Sequence, residues 1–362
     1  MIRHSGGVSY PRIEADTTPL TARPTSPRPP EPPEPKRRRR GGKFAGVTLL
    51  LLALPVIALT GLRAVGFDQQ KHAAAAIALT PYALPAAALL AVLTLLFRRW
   101  LLAIVLVLCT ALLAFIVLPR AFVKARPIAV GAQVRVLSVN LLFGRADPAF
   151  VVNLVRDTKA DVLSLQELTP ESVTALERAG LNQELPFRVL EPADGAAGTG
   201  IASRHPLTRI VLGRPPAPGA FAQPAALVNL PGPRSLEIMA VHPRIPVGPE
   251  GAEPWLRDLG TLPEPRTEGP ARVLAGDFNA TLDHSPLRRL LGQGYLDAAD
   301  QAGAGLTPTW PGVGAGLIPP PVTLDHVLVD KRCPVDRFDV FEIPGSDHRS
   351  ILATITVPSA GP

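Results

Sequence analysis

The chain has 362 residues, 47% apolar and 19% charged, with 42 prolines, a mean hydropathy of +0.22 and a formal net charge of +7. Only two cysteines occur, and Cys109 lies inside an apolar run, which excludes a disulfide framework. The positive charge is confined to the N-terminal third: residues 1–43 carry ten Lys/Arg against four Asp/Glu, residues 44–126 seven against one, and residues 127–362 twenty against twenty-five, so the C-terminal part lacks the basic footprint of a nucleic-acid binder.

Residues 1–43 read as a disordered, Pro/Arg-rich cytoplasmic tail. Pro24 to Pro35 favours extended polyproline geometry over helix or sheet. The basic block Lys36 to Arg40, followed by Lys43, stands directly before an apolar run and reads as a topology signal. Three uncharged apolar runs fill 44–118, at 44–62, 73–97 and 100–118. Each is long enough to cross ~30 Å of hydrocarbon at ~1.5 Å per residue, and none has the polar face of a soluble helix. They are predicted as three transmembrane helices; two further spans and the lack of a small-residue cleavage site argue against a signal peptide. The basic first flank keeps the N-terminus in the cytoplasm, the Arg98-Arg99 turn falls on the same side, and everything after Leu118 emerges outside the plasma membrane. Pro81 and Pro85 are expected to kink the second span. Residues 119–130 are expected to be a linker holding the remainder at headgroup level.

From 131 to 358 short β-rich runs alternate with helical ones. Strands are predicted at Val134–Val139, Val162–Leu165, Ala225–Leu230, Leu236–Val241, Val273–Ala275, Val327–Val329 and Ile351–Val357, and helices at Ala149–Arg156 and Glu171–Arg178. The pattern is that of one α/β domain. Polar residues stand at the strand ends: Asn140, Gln166-Glu167, His242-Pro243, Gly276-Asp277-Phe278-Asn279, Leu324-Asp325-His326 and Gly345-Ser346-Asp347-His348. Carboxylates gathered this closely repel one another, and a hard divalent cation relieves the repulsion with oxygen ligands. Glu167 with Asn140 and one or more aspartates forms a candidate Mg²⁺ site. An aspartate beside it can take a proton from water, and a histidine held by a second aspartate can stabilise charge on phosphorus. His326 reads as a packing residue, His205 and His284 as loop residues, and Arg204 as half of a structural ion pair. Trp310 either packs near the site or fills a core.

Taken in order, Asn140, Gln166-Glu167, Gly200 to Arg204, His242, Gly276 to Asn279, Asp325-His326 and Ser346 to His348 resemble the endonuclease/exonuclease/phosphatase (DNase I-like) superfamily. The resemblance implies a four-layered α/β sandwich over 131–358. It implies Glu167 as principal metal ligand with Asn140 and Asp347 in support, and Asp277 as the group that orients or activates water. It implies Asn279 and His242 as phosphate contacts, and His348 as the central histidine oriented by Asp325. Mg²⁺ is the expected metal, with Mn²⁺ or Ca²⁺ as alternatives. Three spans joined to such a domain are similar to actinobacterial membrane proteins of the VanJ teicoplanin-resistance type. That implies a metal-dependent phosphoester or pyrophosphate hydrolase acting on a lipid-linked envelope phosphate at the outer membrane face. The alternatives are an extracytoplasmic nuclease or a sphingomyelinase-like phosphodiesterase. The bilayer and a phosphorylated lipid are the expected partners, nucleic acid is disfavoured, and no protein partner is inferred.

Overall fold

A computed structural model describes residues 8–12, 14, 40–125, 130–232, 234–312 and 319–358. The proline-rich stretch 24–35, most of the basic block and residues 126–129 of the expected linker lie outside the described residues. The chain divides into Met1–Arg40 and Gly41–Pro362; in the first, the described residues Val8–Arg12 and Glu14 form no helix or strand.

Four helices come first, α1 (Arg40–Val65), which lies in the second unit from Gly41 on, α2 (Lys71–Ala78), α3 (Thr80–Leu96) and α4 (Trp100–Val117). Two are long and apolar enough to cross a membrane, at Phe44–Val65 and Trp100–Ala121, and α2 with α3 would make a third only as a pair bent by 70°. The run 73–97, expected as one kinked span, is therefore two helices. The cause is Pro81, which has no backbone N–H to give the ladder and whose ring clashes with the carbonyl four residues back. That carbonyl, Ile77 O, instead accepts a capping backbone N–H and the Thr80 hydroxyl, the latter at 2.7 Å. Pro85 does not break α3. Alanines bring the helices close: Ala53 and Ala91 pack with Leu49, Leu90 and Leu106, and Ala83 and Ala87 with Leu113. Leucines and aromatics such as Leu101, 83% exposed, and Phe115, 80% exposed, point outward.

The remainder runs β1 (Gly131–Asn140), α5 (Pro148–Thr158), β2 (Val162–Gln166), α6 (Pro170–Arg178), α7 (Leu181–Glu184), β3 (Phe187–Glu191), β4 (Thr199–Ser203), β5 (Leu207–Ile210) and β6 (Ala225–Leu230). It continues β7 (Arg234–Val241), α8 (Glu253–Gly260), β8 (Ala271–Asp277), α9 (Ser285–Gly292), β9 (Tyr295–Asp297), α10 (Ala298–Gln301), β10 (Asp325–Asp330), β11 (Val335–Glu342) and β12 (Arg349–Pro358). Among the described residues these strands make two six-stranded sheets, ordered β11-β12-β1-β2-β4-β3 and β5-β6-β7-β8-β10-β9.

Strand alternation builds the layers. Val134 and Val136 of β1 face Ile238, Val273 and Val327 of the other sheet across a common core. Leu137 and Val139 face outward onto Val151 and Val155 of α5 and Leu176 of α6. On the far side, Met239, Leu274 and Leu328 pack under Trp255 and Leu259 of α8 and Leu287 of α9. The result is a helix–sheet–sheet–helix sandwich. Register then explains why the polar motifs meet. The parallel pairs β1–β2 and β7–β8 end together, with Asn140 opposite Gln166 and Val241 opposite Gly276. The antiparallel β10 begins at the same edge, Asp325 opposite Asp277. At Gly276 a Cβ would lie 2.0 Å from the Val241 carbonyl oxygen, so only glycine admits this closeness beside Asp277.

The segment expected as a linker is docked rather than free as far as it is described. Arg120 is buried and forks onto Asp283 with two bonds of 2.7 Å, and Arg63 at the end of α1 reaches the same carboxylate at 3.1 Å. Lys124 pairs with Asp300, and Val123 bridges to Ala302. Asp68 accepts from the Ser285 backbone and hydroxyl, both at 2.6 Å. Tyr82 donates to Pro321 O at 2.7 Å. His284 lies in a loop, as expected, and is buried, with Nε2 2.9 Å from the Ala74 carbonyl of α2. Ala74 itself belongs to the outer core under α8 and α9. These contacts put the C-terminal ends of α1 and α4 and the start of α3 against the sandwich. Arg99, whose guanidinium packs over Gly46, lies at the other end of the bundle.

Candidate active site

Four of the six described non-glycine residues with positive φ lie at the sheet edge where the motifs meet: Leu142 (46°), Phe143 (52°), Glu167 (55°) and Asn279 (49°). Such a conformation costs an L-residue roughly 1–2 kcal/mol, and hydrogen bonds hold it here. Phe143 N–H donates to Glu167 Oε2 at 2.8 Å, Leu142 N–H to Asn140 Oδ1 at 3.0 Å, and Asn279 N–H to Asp277 Oδ1 at 2.8 Å.

Asn140 was expected to support a metal through its oxygen. A backbone N–H can only donate, so the atom facing Leu142 is the amide oxygen and the nitrogen points into the cleft. That nitrogen lies 3.2 Å from Glu167 Oε1 and 3.2 Å from Asp277 Oδ2. In this arrangement Asn140 ties the two carboxylates together as a donor, and its oxygen keeps one lone pair beyond the bond from Leu142.

Asp277 Oδ2 is the centre of the cluster. Besides Asn140, His348 Nε2 stands 3.6 Å away and His242 Nε2 3.8 Å away. His348 gives its other nitrogen to Asp325 Oδ2 at 2.9 Å, and Asp325 is held by its backbone N–H on Thr309 Oγ1 at 3.1 Å. Ser346 anchors the loop by donating to Asn140 O and accepting from His348 N–H. Asn279 spends one amide hydrogen on Pro243 O at 3.1 Å, leaving a second donor. Trp310 is a site residue as well as a packing one: its indole donates to Asp347 Oδ2 at 3.1 Å, and its ring centroid lies 6.5 Å from that of His348.

Burial and neighbouring charge separate the ionisable groups. Burial pushes the Glu167 carboxyl up, against the pull of the Phe143 N–H, Asn140 and His348. Asp277 is likewise pushed up by burial, which outweighs the opposing His348. For His348 burial alone would lower the value, but Asp325 and Asp277 outweigh it and raise it to about 10, so this ring is a cation at neutral pH. His242 goes the other way: burial lowers it and Asp277 compensates only in part, so it is neutral. One histidine carries charge and the other offers a neutral donor.

The residues fit a hard divalent cation. Glu167 is a buried carboxylate without a full positive partner, and each of its oxygens still has an unused lone pair. Asp347 Oδ1 is buried with no hydrogen-bond partner, as expected of an oxygen built to meet a cation. Asp277, Asp325 and His348 also offer ligand atoms within 4.8 Å of one another. There the imidazolium already stands between the two carboxylates, which leaves Glu167 and Asp347 as the carboxylates with oxygens open to a cation.

His326 is structural in a way the sequence did not show. Its ring bonds Asp297 Oδ2 and the Ala280 carbonyl, both at 2.8 Å. Two acceptors require both nitrogens to donate, hence an imidazolium. Burial opposes this, but Asp297 prevails and the value is raised. The pair pins Phe278 to Ala280, and with them the loop that carries Asp277. Arg204 lies near Asp161 and Glu184, at 4.0 and 3.9 Å, as a surface ion pair.

The family profile described as the endonuclease/exonuclease/phosphatase family matches residues 137–348. The chain belongs to this family. Members hydrolyse phosphoester bonds, generally with a divalent metal, and the family includes nucleases and phosphatases. No curated protein matches the chain. Among solved structures, it is similar to an endonuclease/exonuclease/phosphatase from Beutenbergia cavernae (18% identity, TM-score 0.48, covering 63% of this chain and 72% of that one). It is also similar to a humanized TDP2 of D. rerio (18%, 0.47, 62% and 99%). A third is a family protein from Leptotrichia buccalis (15%, 0.46, 61% and 99%).

Proposed function

We propose that the protein is a membrane-embedded, Mg²⁺-dependent hydrolase that cleaves a phosphoester or pyrophosphate bond of a lipid-linked substrate at the outer membrane face. The observation that carries this reading is the position of the polar centre. It opens beside the apolar helices, at the end of the bundle opposite Arg99. With the basic flank cytoplasmic, that end faces outward.

The roles follow from the geometry. Asp277 Oδ2 takes a proton from the attacking water, and Asn140 holds it beside Glu167. The His348 imidazolium, oriented by Asp325, stabilises negative charge as it develops on the phosphoryl oxygens. The free amide hydrogen of Asn279 and neutral His242 bind those oxygens without adding a charge. Glu167 and Asp347 would hold the cation, which when bound supplies further stabilisation of phosphoryl charge.

The test uses intact cells producing the full chain, with Mg²⁺, a long-chain prenyl diphosphate and supercoiled plasmid added outside. Expected is phosphate release from the lipid without permeabilisation, and an intact plasmid even at low salt, where DNA contacts are strongest. Turnover that appears only after permeabilisation would reverse the orientation. Plasmid nicking without lipid turnover would make the protein a nuclease.

A further inference from the structure

The catalytic centre does not open directly to solvent on all sides. It is continuous with a cavity of about 1140 Å³, just above the usual range for small-molecule sites. Glu167, Asp277, Asp347 and His348 line one end. Away from them the lining turns apolar. One wall is α2 and the residue that follows it, through Ala75, Ala78 and Leu79; the other includes Phe143, Ile245 and Val247. Ala75 and Ala78 are three apart on one helical face. Phe143, Ile245 and Val247 are 45%, 48% and 52% exposed, unusual for apolar side chains that share one concave surface. The charged residues on this part of the lining are paired: Arg244 forks onto buried Asp258 at 2.8 and 2.9 Å, Glu250 lies 3.9 Å from Arg244, and Arg257 lies 3.8 Å from Glu253.

The position of α2 is set by the sandwich. Ala74, next to Ala75, lies in the outer core, its carbonyl is bonded by His284, and the turn before α2 is fixed by Asp68 on Ser285. The helix is thus a rigid wall of the site, and its alanines leave the space open.

We propose that this groove, between α2 and the Pro243–Pro249 segment, binds the hydrocarbon tail of the substrate, so that the N-terminal helices set specificity as well as location. The inference rests on the hydrolase reading above and names the part of the site that selects the substrate. A tail is the occupant that fits a polar, phosphate-binding end running into a mainly apolar channel, its few charges paired, beside lipid-facing helices. The helices are part of the active site, and the sandwich alone would lack one wall.

The experiment uses the full chain in lipid nanodiscs and a series of n-alkyl diphosphates with tails of two to twelve carbons. Each methylene that enters an apolar site tightens binding by roughly fourfold at best. A groove this open should therefore still raise kcat/KM by at least about thirtyfold across the series. Ala75→Phe fills the groove from α2, and Val247→Asp places a charge on the opposite wall. Each should cut the ratio of kcat/KM for the longest to the shortest tail at least tenfold; a general structural disturbance would lower both substrates together. A wild-type rate indifferent to tail length, or a ratio that both variants leave intact, overturns the proposal. If no member of the series is hydrolysed, the hydrolase reading fails instead. Calorimetric binding of dodecyl diphosphate then decides the groove: tighter binding by wild type than by Ala75→Phe supports it, and equal binding overturns it.

Discussion

His348→Ala is expected to lower kcat for phosphate release by about a thousandfold, the scale of losing one positioned charge donor or acid–base group. The ring is the positive group between Asp325, at 2.9 Å, and Asp277, at 3.6 Å. Its removal takes away the charge that faces the phosphoryl oxygens and leaves two buried carboxylates to repel each other. Asp277→Asn should lose a comparable factor, because Asp277 Oδ2 is where Asn140, His348 and His242 converge. The double variant should be little worse than either single one, since groups acting as a unit are not additive. Steady-state kinetics on a phosphorylated lipid checks this. Independent, multiplicative losses would show that the two residues do not share one reacting centre.

Asp283→Ala is expected to be the most destabilising single change at the joint between helices and sandwich. The carboxylate is fully buried and receives Arg120 in a two-point fork and Arg63 from α1. Removing it leaves two largely buried guanidinium groups unpaired, at a cost of about 3–5 kcal/mol, or roughly 10 °C in Tm for a domain of this size. Replacing Asp283 and Arg120 together by leucine and methionine should recover only part of that loss, because Arg63 is still left without its carboxylate. The joint also has a pH signature. Burial pushes Asp283 up, but Arg120 and Arg63 outweigh it and hold the carboxyl below its ordinary value. Its contribution is therefore complete above the usual carboxylate range and is lost as pH falls through the depressed folded value. Thermal unfolding against pH, in wild type and Asp283→Ala, checks both points. Equal Tm values and equal acid sensitivity would mean that the three residues do not couple the two parts.

The strand-end residues were legible because parallel strand pairs deliver their C-terminal ends to one edge and an antiparallel neighbour begins there. Asn140, Glu167, His242, Asp277, Asp325 and His348 needed only correct strands to be brought together. The strands missed were edge or near-edge ones with weak alternation, such as β3, β5 and the charge-rich β11. Helices α8 and α9 are single short amphipathic segments that become recognisable only under the sheet they cover. The amide orientation of Asn140 depends on the positive-φ turn at Leu142 and Phe143, and nothing in two bulky apolar residues announces such a turn. The largest difference lies in α2. Its alanines read as part of a transmembrane run, whereas Pro81 ends that run early and Ala74 joins the core of the sandwich. Pairings such as Arg63 and Arg120 with Asp283 span about half the chain, and a single sequence carries no signal for them.

The central claim is that Glu167, Asp347, Asp277 and His348 form one cation-supported centre that cleaves a phosphorus–oxygen bond. Mg²⁺ titration of the full-length protein by calorimetry, with phosphate release measured on the same samples, tests it most directly when wild type is compared with Glu167→Gln. The expected result is Mg²⁺ binding that weakens at least tenfold in the variant, with activity falling in parallel and no loss of Tm in the metal-free protein. Activity that survives complete chelation, or a Glu167→Gln protein that binds Mg²⁺ and turns over like wild type, would contradict it.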